Sequence, residues 1–114
     1  MLRRKNRLPS TVRLTQPSTL SSPNFILRFS KTEGDESRLA IVISKKVDKS
    51  AVARNRMRRL VSTFMQDNWD LLMSPIDMIV IVQKSFSVIS SEEKEELVAS
   101  LKSKGVFGEK ASDL

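Results

Sequence analysis

Two unbroken apolar runs, "LAIVI" at residues 39–43 and "IVIV" at 79–82, flank a long polar segment, and nothing else in the chain constrains its fold as strongly. Strands that are apolar at successive positions belong to a sheet buried on both sides or lie between neighbouring strands. The segment between them carries a helical period instead. On a wheel of about 100° per residue, Ala53, Leu60, Val61 and Phe64 fall within about 60° of Met57 and form one core-facing stripe. Ser50 is placed to cap this helix, which is predicted from about Ala51 to Trp69.

The flanking segments extend the pattern. "NFILRFS" at 24–30 reads as a strand with Phe25, Leu27 and Phe29 on one face and Ile26 and Arg28 on the other. "KTEGDE" offers Gly34 and acids for a hairpin turn into "SRLAIVIS", a second strand whose continuous apolar character predicts a central position. "SPIDMIVIVQKS" supplies the third strand. "SSEEKEELVASLKSK" is a capped helix headed by Ser90 or Ser91, with glutamates in its first turns and lysines in its last, as the helix dipole favours. Its apolar face is Leu97, Val98 and Leu101.

The predicted order is strand, strand, helix, strand, helix, which makes an α+β fold of α/β-sandwich type: a small central β-sheet with helices packed on one face. With 114 residues there is one domain. Residues 24–105 form it. Residues 1–23 read as a basic arm broken by Pro9, Pro17 and Pro23, and residues 106–114 as a frayed tail.

Composition narrows the chemistry. The chain has no His, Cys or Tyr, so general-base and thiolate catalysis have no side chains to use, and no catalytic or metal-ligating residue is assigned. Asp77, opening a buried strand, reads as a solvated strand end. Glycines stand only at 34, 105 and 108, which leaves no phosphate-binding glycine loop. No apolar run approaches a membrane span, and the N-terminal "MLRRKNRLPSTV" is not followed by the apolar stretch of a secretory signal. A reducing, cytoplasmic setting without membrane contact is expected.

Charge is the remaining signal. Residues 1–60 hold 15 basic and 4 acidic groups, whereas residues 61–114 hold 5 and 9. The densest stretch is "SKKVDKSAVARNRMRRL" at 44–60, with seven basic residues and one acid. A merely solvating helix face would mix signs. Four arginines in six residues with no acid among them point instead to a polyanion, because the planar guanidinium meets phosphate bidentately and stacks on bases. Strands on both sides of the helix speak against a helix-turn-helix DNA reader and favour structured RNA. The candidate RNA-binding set is Lys45, Lys46, Lys49, Arg54, Asn55, Arg56, Arg58 and Arg59. On these grounds a non-catalytic RNA-binding module of ribosomal or RNA-chaperone type is a competing reading.

The block "VISKKVDKSAVARNRMRRL" resembles the signature of the bacterial ribonuclease P protein subunit, in which Arg-Asn-Arg is followed by one residue and two more basics. Here these are Arg54, Asn55, Arg56, Arg58 and Arg59. Ser44, Lys45 and Lys46 match the preceding Ser-Lys-Lys, and the similarity runs over roughly residues 5–104. The resemblance implies an RNA-binding subunit that assists a catalytic RNA, with Mg²⁺ held mainly by that RNA, in removing the 5′ leader of precursor tRNA. It implies one protein per RNA and a left-handed strand-helix-strand crossover. It also implies a leader-binding cleft, for which this chain lacks the phenylalanines of the family's first helix; Phe25, Arg28 and Phe29 are the nearest substitutes. Two further departures are Asp48 where glycine is common, in a loop one residue longer, and Ser62 where a basic residue is frequent.

Overall fold

The computed structural model describes residues 4–9, 13–14, 16–32 and 34–108. Its elements are β1 (Ser18–Ser21), β2 (Phe25–Lys31), β3 (Arg38–Val42), α1 (Ala51–Asp67), β4 (Ile76–Val82) and α2 (Ser91–Ser103), with single 3₁₀ turns at Arg4–Asn6 and Trp69–Leu71. The sheet order is β1-β2-β4-β3. β1 and β2 pair antiparallel, as do β2 and β4, while β3 and β4 run parallel and are joined through α1.

Both helices begin where their caps predict. Ser50 Oγ accepts the N–H of Ala53 at 3.2 Å, and Ser90 Oγ accepts that of Glu93 at 3.1 Å. α1 stops at Asp67, short of the predicted Trp69, because Asn68 takes over its last carbonyls: its side-chain amide donates to Phe64 O at 2.8 Å. Met57, Val61, Phe64 and Met65 of α1 and Leu97 and Leu101 of α2 share one core with Phe25, Leu27, Phe29, Met78, Val80 and Val82. Helices therefore cover a single face of the sheet.

Strand order departs from the sequence reading. "KTEGDE" does not close a hairpin, because β4 inserts between β2 and β3, with Lys31 opposite Ile76 and Arg38 opposite Asp77. The central place goes to the strand that is buried or half-buried at every position, β4. β3 is an edge strand despite its apolar run, and its end, Val42, is 48% exposed.

The edge of β3 is covered by the segment read as an arm. Arg7 bridges Leu39 in parallel, Leu8 N–H donates to Leu39 O at 2.9 Å and the Asn6 amide to Ser37 O at 2.9 Å. Leu8 and Asn6 are buried. β1 also lies within residues 1–23, so the arm contributes structure on both sides of the sheet; residues 1–3, 10–12 and 15 lie outside the described residues.

The C-terminal end differs in the same direction. Gly105, at φ +79°, terminates α2 in a Schellman turn: Val106 N–H donates to Leu101 O at 2.9 Å and Gly105 N–H to Lys102 O at 3.0 Å. The reversal buries Val106 and Phe107, and Gly108 N–H reaches Leu71 O at 2.7 Å. Residues 106 and 107 are core, not tail; 109–114 lie outside the described residues.

Asp77 is likewise no solvated end. It is buried and receives the Arg38 guanidinium as a fork, Nε to Oδ1 at 2.9 Å and Nη2 to Oδ2 at 2.8 Å. That bidentate pair raises the Arg38 pKa further above its ordinary value.

Candidate nucleic-acid interface

α1 carries its basic residues on the side away from the core because Met57, Val61, Phe64 and Met65 anchor the other. Asn55, Arg56, Arg58 and Arg59 are exposed, as are Lys45, Lys46 and Lys49 in the preceding loop. No described carboxylate forms a salt bridge with Arg54, Arg56, Arg58 or Arg59. Arg58 Nη1 donates to Asn55 Oδ1 at 3.0 Å, one turn along the helix, which orders the outer edge.

Arg54 differs from its neighbours. It is half-buried, and Nη1 donates to the carbonyl oxygens of Asp48 and Lys49 at 2.9 and 3.0 Å. One end of its guanidinium thus clasps the loop that holds Lys45, Lys46 and Lys49. Asp48 completes the brace: Oδ1 accepts the Ser50 N–H at 2.9 Å and Oδ2 accepts the Ser85 hydroxyl at 2.8 Å. The Ser50 N–H, then the Ser85 hydroxyl, then the charge of Arg54 hold the Asp48 carboxyl below its usual range. Sequence reasoning missed this role, since the partner Ser85 is 37 residues away.

A cleft of about 1010 Å³ runs between the N-terminal segment, β3 and α1. Arg7, Leu8 and Pro9 form one wall, Asn55, Arg58, Arg59 and Ser62 another, and Ala40, Val42 and Ile79 lie between them. It is basic at the rim and apolar along the sheet. A serine at 62 leaves that wall with one cation fewer than a basic residue would give.

The three substitutes for leader-binding aromatics do not stand together. Phe25 and Phe29 are 2% and 7% exposed and belong to the core, where Phe25 meets the Phe86 ring edge-on at 5.2 Å between centroids. Burial leaves neither ring a face on which a base could stack, so both assignments are corrected to core packing. Arg28 alternates to the opposite face, left uncovered among the described residues, and is exposed. That face also presents half-buried Ile26, Ile79 and Ile81 and exposed Val42. The alternation of "NFILRFS" already separated Arg28 from the phenylalanines.

Among the described residues no helix is long and apolar enough to cross a membrane, and no group of three or more His, Cys, Asp or Glu stands close enough to hold a metal ion.

Comparison with known proteins gives a consistent result. A model of the Ribonuclease P family matches residues 2–104. The ribonuclease P protein component of Synechococcus elongatus is 35% identical over 106 residues, covering 85% of each chain. That of Thioalkalivibrio sulfidiphilus is 39% identical over 83 residues, covering 63% of this chain and 68% of its own length. Among solved structures, the RNase P protein from Thermotoga maritima is similar at a TM-score of 0.54 and 27% identity, covering 72% of this chain and 67% of that one. The Staphylococcus aureus RNase P protein aligns at a TM-score of 0.66 and 24% identity over 82% of this chain and 85% of that one, a likeness that bears on the fold.

Proposed function

This chain belongs to the ribonuclease P protein family, and on that premise we propose that its exposed α1 arginines seat it on the catalytic RNA while its uncovered sheet face receives the leader of precursor tRNA. It is the RNA-binding subunit of a ribonucleoprotein endoribonuclease and supplies binding where the RNA supplies the chemistry. Mg²⁺ is held mainly by the RNA; the protein's part is to neutralise phosphates that Mg²⁺ would otherwise have to screen. One protein serves one RNA, in the cytoplasm.

The observation that carries this reading is the exposure of Asn55, Arg56, Arg58 and Arg59, all turned away from the core, on a helix fixed by its core stripe and braced at its start by Asp48. Rigid placement matters because an ordered guanidinium loses less entropy when it grips a phosphate. The leader's bases meet Ile26, Ile79 and Ile81 with Arg28 beside them, a surface that accepts any sequence since it offers few base-edge donors.

Retrieval of RNA with the tagged protein, followed by sequencing, tests the reading. Recovery of the ribonuclease P RNA and precursor tRNA is expected. Recovery of ribosomal or general duplex RNA alone would replace the proposal with an RNA-chaperone or ribosomal role.

A further inference from the structure

α1 separates two depressions, and its arginines divide between them. Asn55 and Arg58 line the cleft along β3, Arg56 lines a second groove on the far side, and Arg59 and Thr63 line both. This second groove, of about 370 Å³, lies between α1 and the chain from Val88 into α2. Its cations are Arg56, Arg59 and Lys94, set against one acid, Asp67. Its floor is Leu60 with the buried Phe64 and Ile89, and Val88 stands at its rim 67% exposed.

Resting on the function proposed above, the geometry points to this groove as a seat for one unpaired nucleotide of the catalytic RNA. Its volume lies near the lower end of the roughly 300–1,000 Å³ of small-molecule sites, too small for a duplex. Three cations around an apolar floor suit a group that is anionic at one end and flat and apolar at the other. A phosphate sits against Arg56, Arg59 and Lys94, the base lies over Leu60 and Val88, and the Thr63 hydroxyl is placed for a 2′-hydroxyl. Of the acids at the start of α2, Glu93 is turned away onto the Asn24 amide at 3.0 and 3.2 Å. With three cations and one carboxylate among its lining residues, the groove is positive. α1 then meets the catalytic RNA along its exposed arginines and down this flank, while the sheet face beyond the β3 cleft is left to the precursor.

The chain has no cysteine, so Val88→Cys and Val42→Cys each create a unique attachment point for an iron chelate that generates hydroxyl radicals. With the ribonuclease P RNA and precursor tRNA bound, cutting from position 88 is expected at a short unpaired segment of the catalytic RNA, and cutting from position 42 in the leader. Val88→Asp should weaken affinity for the catalytic RNA several-fold, Val88→Leu should restore it, and Arg56→Ala with Lys94→Ala should flatten the salt dependence by about 0.7 decades per decade for the phosphate lost. Cuts from position 88 confined to the leader, or no cuts while the wild-type protein still binds the RNA, would overturn the seat and leave the proposed function standing. A dimer in sedimentation that Val88→Asp dissolves would assign the groove to a second copy and also overturn it. Failure of the wild-type protein to bind the RNA at all would remove both.

Discussion

Asp48 and Ser85 are 37 residues apart in the chain and 2.8 Å apart in the fold, the serine hydroxyl donating to the carboxylate. This contact ties the loop before α1 to the loop after β4, and Arg54 fastens the same loop from the helix side. The basic helix is therefore set against the sheet at its start as well as by its core stripe. Asp48→Ala should release the loop and lower RNA affinity several-fold, whereas Asp48→Asn, which keeps an acceptor for the Ser50 N–H and offers the Ser85 hydroxyl an amide donor in place of the carboxylate acceptor, should retain most of it. Equal affinities for the two variants in a binding titration would contradict the brace.

The same carboxylate gives a pH signature. Its folded pKa is depressed, so its contribution to stability is complete above the ordinary aspartate value of 3.8 and is lost as pH falls below it through the folded value. Thermal unfolding followed between pH 7 and 2.5 should show a steeper acid loss for the wild type than for Asp48→Asn, with the difference confined to the region below about pH 4. Parallel curves would remove Asp48 from the account.

Phe25→Ala should cost about 3–5 kcal/mol of folding stability, as large-to-small changes in a closed core do. It should leave the preference for precursor over mature tRNA unaltered under conditions where the variant is folded. Ile81→Asp, on the uncovered face, should do the reverse and reduce that preference. Competition between the two RNAs, read beside denaturant unfolding, separates a core role from a leader-binding one.

Two local devices can be tested by stability alone. Gly105→Ala meets no atom within 4 Å, so its cost of about 1–2 kcal/mol is the left-handed backbone penalty and nothing steric. Arg38→Ala strands the buried Asp77 carboxylate and should cost about 2–3 kcal/mol at neutral pH. Chemical denaturation measures both, and a neutral Arg38→Ala would mean that water replaces the guanidinium.

The elements that can be read from sequence are those fixed locally. The helix caps at Ser50 and Ser90, the stripe around Met57 and the outward turn of Arg56, Arg58 and Arg59 all follow from spacing within a few turns. What escapes is set by distant partners. The central place of β4 depends on competition among three apolar strands, and the apolar run of β3 ranked it too highly because its edge is shielded by Asn6 to Leu8. The core role of Phe107 depends on the reversal at Gly105, a signal present in "KGVF" as a glycine followed by two apolar residues. Asp48 resembled a departure from a glycine pattern until Ser85 was beside it.

The central claim is that the exposed arginines of α1 hold the catalytic RNA in a cleavage-competent complex. Cleavage of precursor tRNA by the cognate RNA at limiting Mg²⁺ tests it most directly, with the wild-type protein and with Arg56→Ala/Arg58→Ala/Arg59→Ala compared at matched helical content. The wild type should stimulate cleavage and the triple variant should lose that stimulation, together with about 0.7–0.9 decades of salt dependence per phosphate contact removed. Equal stimulation by the two proteins, or none by the wild type, would contradict the account.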